Sequence, residues 1–285
     1  MGIQNYIPEV WSAKMMDDLE RKLVFKENCN HSYEGDAKKV GDGVRILGLG
    51  DVSTYEWTDG KLHKLDKADE AKSHSLYMPI NHVRWFNFCV GDDLEKAQAQ
   101  GGNGLMAKYT DKASTSVASR MDNFIAGLHI GECFATQQLS LAPDTRTGAT
   151  YILDAIDDAY LKLLENDITR DTKVTLTASP WFIMMLKRAY VELDTDNSAM
   201  LKNGRVGRYG GIELKESNNC VMDESGFYHF QLKTDDAIAF VNPHTHSEAY
   251  RPDDEFEDYV KGFSLFDGKV INNKQVVDLV CKKAV

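Results

Sequence analysis

No run of apolar residues in this chain approaches the ~18 needed to cross a bilayer as a helix, so no membrane-spanning helix is expected. The first residues, MGIQNYIPEVW, have neither the basic start nor the sustained apolar core of an export signal, and read as those of an intracellular product. A myristoylation reading of Gly2 fails because Tyr6 stands where Ser or Thr is needed. The five cysteines, Cys29, Cys89, Cys133, Cys220 and Cys281, include no CxxC pair. That excludes a recognisable zinc site or disulfide framework and leaves buried free thiols as the expectation. Cations are outnumbered, 33 Lys and Arg against 44 Asp and Glu, for a net charge of −11. A surface of that balance does not attract nucleic acid as a whole and leaves room only for a local basic patch.

Catalytic signatures are also missing. Gly204, Gly207, Gly210 and Gly211 lack the Lys and Ser or Thr that complete a phosphate-binding loop, and Gly48 and Gly50 lack a third glycine. Asp194, Asp196 and Ser198 open like a calcium loop, but Ala199 and Arg205 occupy the positions that need Gly and Glu. There is no GxSxG elbow and no HExxH helix. His244 and His246, with Glu248 or Asp253, could share a metal, although two such histidines beside Pro243 fit a loop better. The paired acids Asp157 with Asp158, and Asp253 with Asp254, are expected to be solvated charge.

What is present is a folded composition, 42% hydrophobic and 27% charged over 285 residues, enough for one large domain or two ordinary ones. Its organising stretch is Leu105 to His129. Leu105, Tyr109, Ala113, Val117, Met121, Phe124 and Leu128 recur at four- and three-residue steps, which stacks them on one face of a helix roughly 37 Å long. Asp92 and Asp93 open an earlier helical segment, Leu94 to Gln100, and Gly101, Gly102 and Gly104 weaken the join. Near the start, Trp11, Met15, Leu19 and Leu23 repeat every four residues after Pro8, predicting an amphipathic helix.

Strands at Val44 to Leu49 and Leu76 to Phe88, with odd steps that suggest bulges, flank a charged stretch from Tyr55 to Ser75 and form a two-stranded arm. Pro143 to Gly148 breaks the chain before a helix of Ile152, Leu153, Ile156, Ala159, Tyr160, Leu163 and Leu164. A short strand over 173–178 leads to Ser179 as a cap, Pro180 at the first helical position, and a helix over 181–190. Strands follow at Ile212 to Leu214, Tyr228 to Leu232, Ala237 to Val241 and Phe256 to Phe266. A turn at 267–269 and a last strand, Gln275 to Cys281, complete an α+β chain.

Taken together, IPEVWSAKMMDDLERKLVF, GDGVRI, the D-D-L run into the long helix with its Met121-Asp122, VTLTASPWF, GRVGRYGGIELKESNN and FEDYVKGFSLFDGKVINN resemble the major capsid proteins of tailed bacteriophages. These have the Hong Kong ninety-seven phage fold, and the resemblance spans nearly the whole chain. It implies an N-terminal arm at 1–40, an extended β-hairpin loop at 41–90, a peripheral domain with a spine helix at 91–140 and 246–285, and an axial domain at 141–245. It also implies a non-enzymatic structural protein without cofactor or metal, building hexamers and pentamers of an icosahedral virion shell in the bacterial cytoplasm. Partners implied are a separate scaffolding protein, a portal protein and weakly contacted double-stranded DNA.

Candidate inter-subunit contacts are Trp11, Met15, Tyr55, Trp57, Lys61, Lys64, Arg205, Arg208 and Asn218. Some relatives weld subunits through a Lys–Asn isopeptide bond. Lys61, Lys64 and Lys67 with Asn218 and Asn219 have the residue types, but no buried acid is evident, and a non-covalent shell is expected. The alternatives are an encapsulin-like compartment and a metal-dependent hydrolase using His244 and His246.

Overall fold

The computed structural model describes residues 23–33, 43–49, 73–90, 105–138, 145–166, 168, 171–192, 207–252 and 257–283. The chain-start helix through Trp11 and Met15, the segment 94–100, the stretch around Tyr55, Trp57, Lys61, Lys64 and Lys67, the calcium-like run at 194–199, Arg205, and Asp253 with Asp254 lie outside those residues.

Three helices are described: α1 (Leu105–Gly127), α2 (Thr145–Leu164) and α3 (Pro180–Glu192). Strands β4 (Ala135–Gln138), β5 (Val174–Ala178), β6 (Arg208–Tyr209), β7 (Ile212–Glu216), β8 (Val221–Met222), β9 (Phe227–Thr234) and β12 (Val276–Lys282) form one seven-stranded sheet, in the order β4-β12-β9-β5-β7-β6 with β8 on β9. Strands β10 (Ile238–Tyr250), β11 (Asp258–Val270) and β3 (His82–Val90) form a second, antiparallel sheet. Among the described residues, strands β1 (Gly43–Leu49) and β2 (Ser73–Pro79) pair only with each other.

The seven-stranded sheet is two-sided, as strand alternation requires. Val174, Leu176, Phe230, Leu232, Val277 and Leu279 face Ile152, Ile156, Ala159 and Leu163 of α2 and Phe182 and Leu186 of α3 in the largest core. The alternate positions Thr175, Thr177, Gln231, Lys233 and Asp278 are buried too, yet polar. Helix α1 covers part of that polar side. Its buried face is Thr110, Ser114, Val117, Ala118, Met121, Asp122, Ile125 and Ala126, rotated from the stripe read in the sequence. Tyr109 is 44% exposed and meets the Phe88 ring at 6.0 Å between centroids.

Several elements differ from their sequence reading. Asp267, Gly268 and Lys269 make no turn: β11 runs through them to Val270. Gly268 is needed because a Cβ there would lie 2.9 Å from Leu128 Cδ1 and 3.0 Å from the Ala239 carbonyl oxygen, and Asp267 accepts from the backbone N–H of Asn81 at 3.1 Å and of Gly268 at 2.8 Å. Helix α2 begins at Thr145 and takes in Gly148, where a break is expected.

Ser179 does not cap α3 through its side chain. Its carbonyl accepts from Phe182 and Ile183, while its buried hydroxyl makes no hydrogen bond. The phase slip at Leu47 is no bulge, for β1 and β2 keep one register from Gly43 opposite Pro79 to Leu49 opposite Ser73. The odd step at Asn81 is the gap where the chain leaves β2, and β3 then pairs with β11 instead of extending the arm. A slip does occur in β10 between Val241 and His244, where Pro243 has no N–H to give a ladder. Helix α1 stops at Gly127, and His129 turns inward. Of the thiols, Cys29 and Cys281 are buried, Cys133 and Cys220 partly so, and Cys89 is exposed.

In β11, Gly262 lies under Phe86, and a Cβ there would come within 2.5 Å of that ring and 2.7 Å of the His246 carbonyl. Gly262→Ala is therefore expected to destabilise the chain by about 1–3 kcal/mol. Urea unfolding followed by tryptophan fluorescence measures it.

Candidate assembly surface

Residues 23–33 are bound to the body of the protein by main-chain and side-chain contacts. Leu23, Phe25 and Cys29 enter the core formed by Val117, Met121 and Ile125 of α1 with Ile238, Phe240 and Phe266. The Asp122 carboxylate accepts from the backbone N–H of Val24 at 3.1 Å and of Phe25 at 3.3 Å, and from Asn219 Nδ2 at 3.4 Å. Asn30 donates its N–H to Ile238 and accepts from Phe240, and Glu27 pairs with Lys215 at 2.6 Å. The buried Lys233 ammonium donates to the Asn28 carbonyl. Residues 23–33 are thus anchored on α1 and β10.

The base of the β1–β2 hairpin is held likewise. Val44, Ile46, Met78 and Ile80 pack on Ala239, Val241 and Leu265, and Lys269 Nζ donates to the Tyr77 carbonyl at 3.1 Å.

The three-stranded sheet has one covered and one open face. Phe86 and Phe88 lie on the α1 side, with centroids 6.0 Å apart. On the other side the register places Trp85 opposite Phe263 and Phe263 opposite His246. The next rows are Asn87, Lys261 and Glu248, then Cys89, Tyr259 and Tyr250. Trp85 is 75% exposed, and Val83 beside it is exposed as well. Tyr250 stacks on Tyr259 at 5.4 Å, and Lys261 pairs with Glu248 at 2.5 Å while lying 4.8 Å over the Tyr250 ring. This open aromatic face ringed by charge has the composition of a protein interface, where Trp and Tyr anchor and ion pairs form the rim.

Of the contacts named from sequence, Arg208 and Asn218 are described, and both are exposed. Arg208 sits in β6 opposite Glu213, and Asn218 in the turn after β7. Neither is brought to the aromatic face by any contact. Asn219, next to Asn218, bridges Ser119 Oγ at 3.0 Å and Asp122. Asp122 is a buried acid beside an asparagine that no spacing in the sequence indicates. Trp85 could have been found from sequence as the odd-phase aromatic of a strand whose other face, Phe86 and Phe88, already supplies the core.

His244 and His246 both fall within β10, not in a loop, opposite Leu265 and Phe263. His246 meets Glu248 at 3.5 Å. Among the described residues, no three His, Cys, Asp or Glu side chains gather as a metal site, and no helix is long and apolar enough to cross a membrane. Asp157 accepts from the Tyr209 hydroxyl at 3.1 Å, while Asp158 is exposed.

No protein-family model matches the chain, and no curated protein matches it. Solved structures do. A structure from Mycobacterium phage Che8 superposes with a TM-score of 0.71 at 25% identity, covering 90% of each chain. The capsid of cyanophage P-SCSP1u superposes at 0.72 with 12% identity over 92% of this chain and 89% of that one. An encapsulin from Synechococcus elongatus follows at 0.54 with 8% identity, over 85% and 83%. The architecture is that of the shell-forming proteins with the Hong Kong ninety-seven phage fold. Within that class, the fold of the chain is like that of the phage capsid chains on which it superposes.

Burial pushes the Asp122 carboxyl up to about 6, against the opposing hydrogen bonds from Val24, Phe25 and Asn219. A carboxyl raised in the folded state stabilises the fold below the usual carboxylate range, and that contribution is lost as pH rises through about 6. The difference corresponds to about 3 kcal/mol. Asp122→Asn is expected to flatten the fall in stability between pH ~4 and ~6, read by urea unfolding across that range.

Proposed function

We propose that this chain is the major capsid protein of a tailed DNA phage. It assembles through pentamers and hexamers into an icosahedral shell around the genome, in the cytoplasm of the bacterial host. The observation that carries the proposal is the open aromatic face of β3, β11 and β10, centred on Trp85, in a chain whose fold matches phage capsid chains over about nine-tenths of its length. A monomer gains nothing by leaving an indole 75% exposed on an aromatic face. Repeated head-to-tail contacts between such faces and a neighbour's different surface close into rings.

In this reading, residues 1–40 are an arm whose end is anchored at 23–33. Residues 41–90 contain the extended hairpin, 91–140 and 246–285 the peripheral domain on its α1 spine, and 141–245 the axial domain. The shell forms without covalent links, on a separate scaffolding protein and around a portal, and is not catalytic. An encapsulin-like compartment is the second reading. The higher TM-scores and identity to phage structures favour the first.

Sedimentation of the purified chain, with negative-stain microscopy of the fast fraction, alone and with a candidate scaffolding protein, tests the assignment. Closed shells or five- and six-fold rings are expected. A strictly monomeric species that never responds to scaffold overturns it. Trp85→Ser is expected to change the unfolding free energy of the unassembled chain by no more than about 0.5 kcal/mol. The same change should raise the concentration threshold for shell formation about thirtyfold, the effect of a ~2 kcal/mol anchor. Light scattering across a concentration series measures that threshold.

A further inference from the structure

The side of α1 turned away from both sheets carries a chemistry unlike the rest of this acidic chain. Lys108, Lys112, Thr115, Ser116, Ser119, Arg120 and Asn123 recur at three- and four-residue steps, so they form one stripe. Those from Lys112 to Asn123 line an open groove of about 560 Å³. Lys108, Lys112, Thr115, Ser116, Arg120 and Asn123 are exposed, and Ser119 is half-buried.

Among the described residues, no carboxylate pairs with Lys108, Lys112 or Arg120. The Lys112 ammonium lies only over the Tyr109 ring, 5.9 Å from its centroid. The one carboxylate on the exposed side of the helix is Asp111, at the edge of the stripe. Three unpaired cations with hydroxyl and amide groups between them thus stand on a straight rod, in a protein of net charge −11.

We propose that this stripe is the surface through which the chain holds the phosphodiester backbone of duplex DNA. The choice of duplex DNA as occupant rests on the shell-protein reading. The chemistry is that of phosphate recognition: guanidinium and ammonium groups supply charge, and Ser116 and Asn123 supply neutral donors that position without reading sequence, while the Thr115 hydroxyl donates to the Asp111 carbonyl and that of Ser119 to Asn219. From Lys108 to Arg120 the helix rises ~18 Å at 1.5 Å per residue, along which one DNA strand presents about five phosphates at 3.4 Å per charge. A second acidic protein surface would satisfy the cations equally; a duplex strand differs in repeating its charge every ~3.4 Å along the whole length of the stripe. Three contacts per chain are few, so each copy binds weakly. Hundreds of copies on a closed inner wall would hold the duplex by multivalency.

The test is binding of a short mixed-sequence duplex to the purified chain, followed by fluorescence anisotropy as salt is varied. If three phosphates are neutralised, affinity falls about 40-fold between ~50 and ~200 mM salt. The double variant Lys112→Gln with Arg120→Gln leaves one contact and a fall of about 3.5-fold. Unchanged salt dependence in the double variant overturns the proposal. So does displacement of the duplex by polyglutamate at equal charge concentration, which would mark a site for an acidic protein. Shell formation by the variant, scored by sedimentation, separates the two readings. A wild type that never assembles refutes the shell assignment, whereas shells with unaltered DNA binding refute only the stripe.

Discussion

The arrangement depends on a polar seam between α1 and the seven-stranded sheet. Gln231 Nε2 donates to the Ile125 carbonyl at 2.7 Å and lies 3.0 Å from His129 Nδ1. His129 Nε2 in turn lies 3.1 Å from Asp278, whose other oxygen is 2.7 Å from His229. His129, Gln231 and Asp278 are buried, where polar groups are mostly hydrogen-bonded, and all but Gln231 Oε1 of their side-chain polar atoms have a partner. Burial works against the Asp278 charge, but the hydrogen bonds and charges of the two histidines outweigh it and hold the carboxyl below its usual range. Apolar packing alone would let a helix slide or rotate over a sheet. This chain of bonds admits one position, because any displacement leaves a buried donor or acceptor unmet.

With α1 fixed on one sheet, its other contacts position the second. Phe124 meets His82 at 4.4 Å and Phe266 at 5.5 Å, so the start of β3 and the middle of β11 are held against the same helix. Asp267 then ties the β2-to-β3 junction through Asn81 and His82. The hairpin, the open aromatic face and the anchored segment 23–33 all take their places from one rod. The cationic stripe occupies the side of that rod that no sheet covers. The face with Trp85 and the proposed DNA-facing stripe are therefore fixed relative to each other by a single element.

Much of this was legible in the residues. The four- and three-residue steps of α1 and the alternation in β5, β7 and β9 follow directly from burial on one face or both. The rotation of the buried side of α1 was not legible, because Asp122, Thr110 and Ser114 look like surface residues until the polar face of the sheet and the backbone of residues 24 and 25 supply their partners. Gly268 read as a turn because a glycine after an aspartate is a turn signal. Here it records a close approach by Leu128 and Ala239, which local sequence does not encode. In the sequence Trp85 is one residue within a strand over Leu76 to Phe88. Its exposure became informative only once β11 and α1 showed which side of β3 was already filled.

The last strand of the chain is not at an edge. β12 lies between β4 and β9, parallel to one and antiparallel to the other, with Val276, Val277 and Leu279 buried. During synthesis, β4 has no strand to join until residues 276–282 have left the ribosome, and Asp278 arrives with them to complete the seam that seats α1. Contacts of such long sequence separation form late. A chain that stops short of residue 276 would therefore leave its spine unseated. A product of premature termination then lacks the seat of its longest helix, so the order of the strands itself couples completion of the chain to completion of the fold.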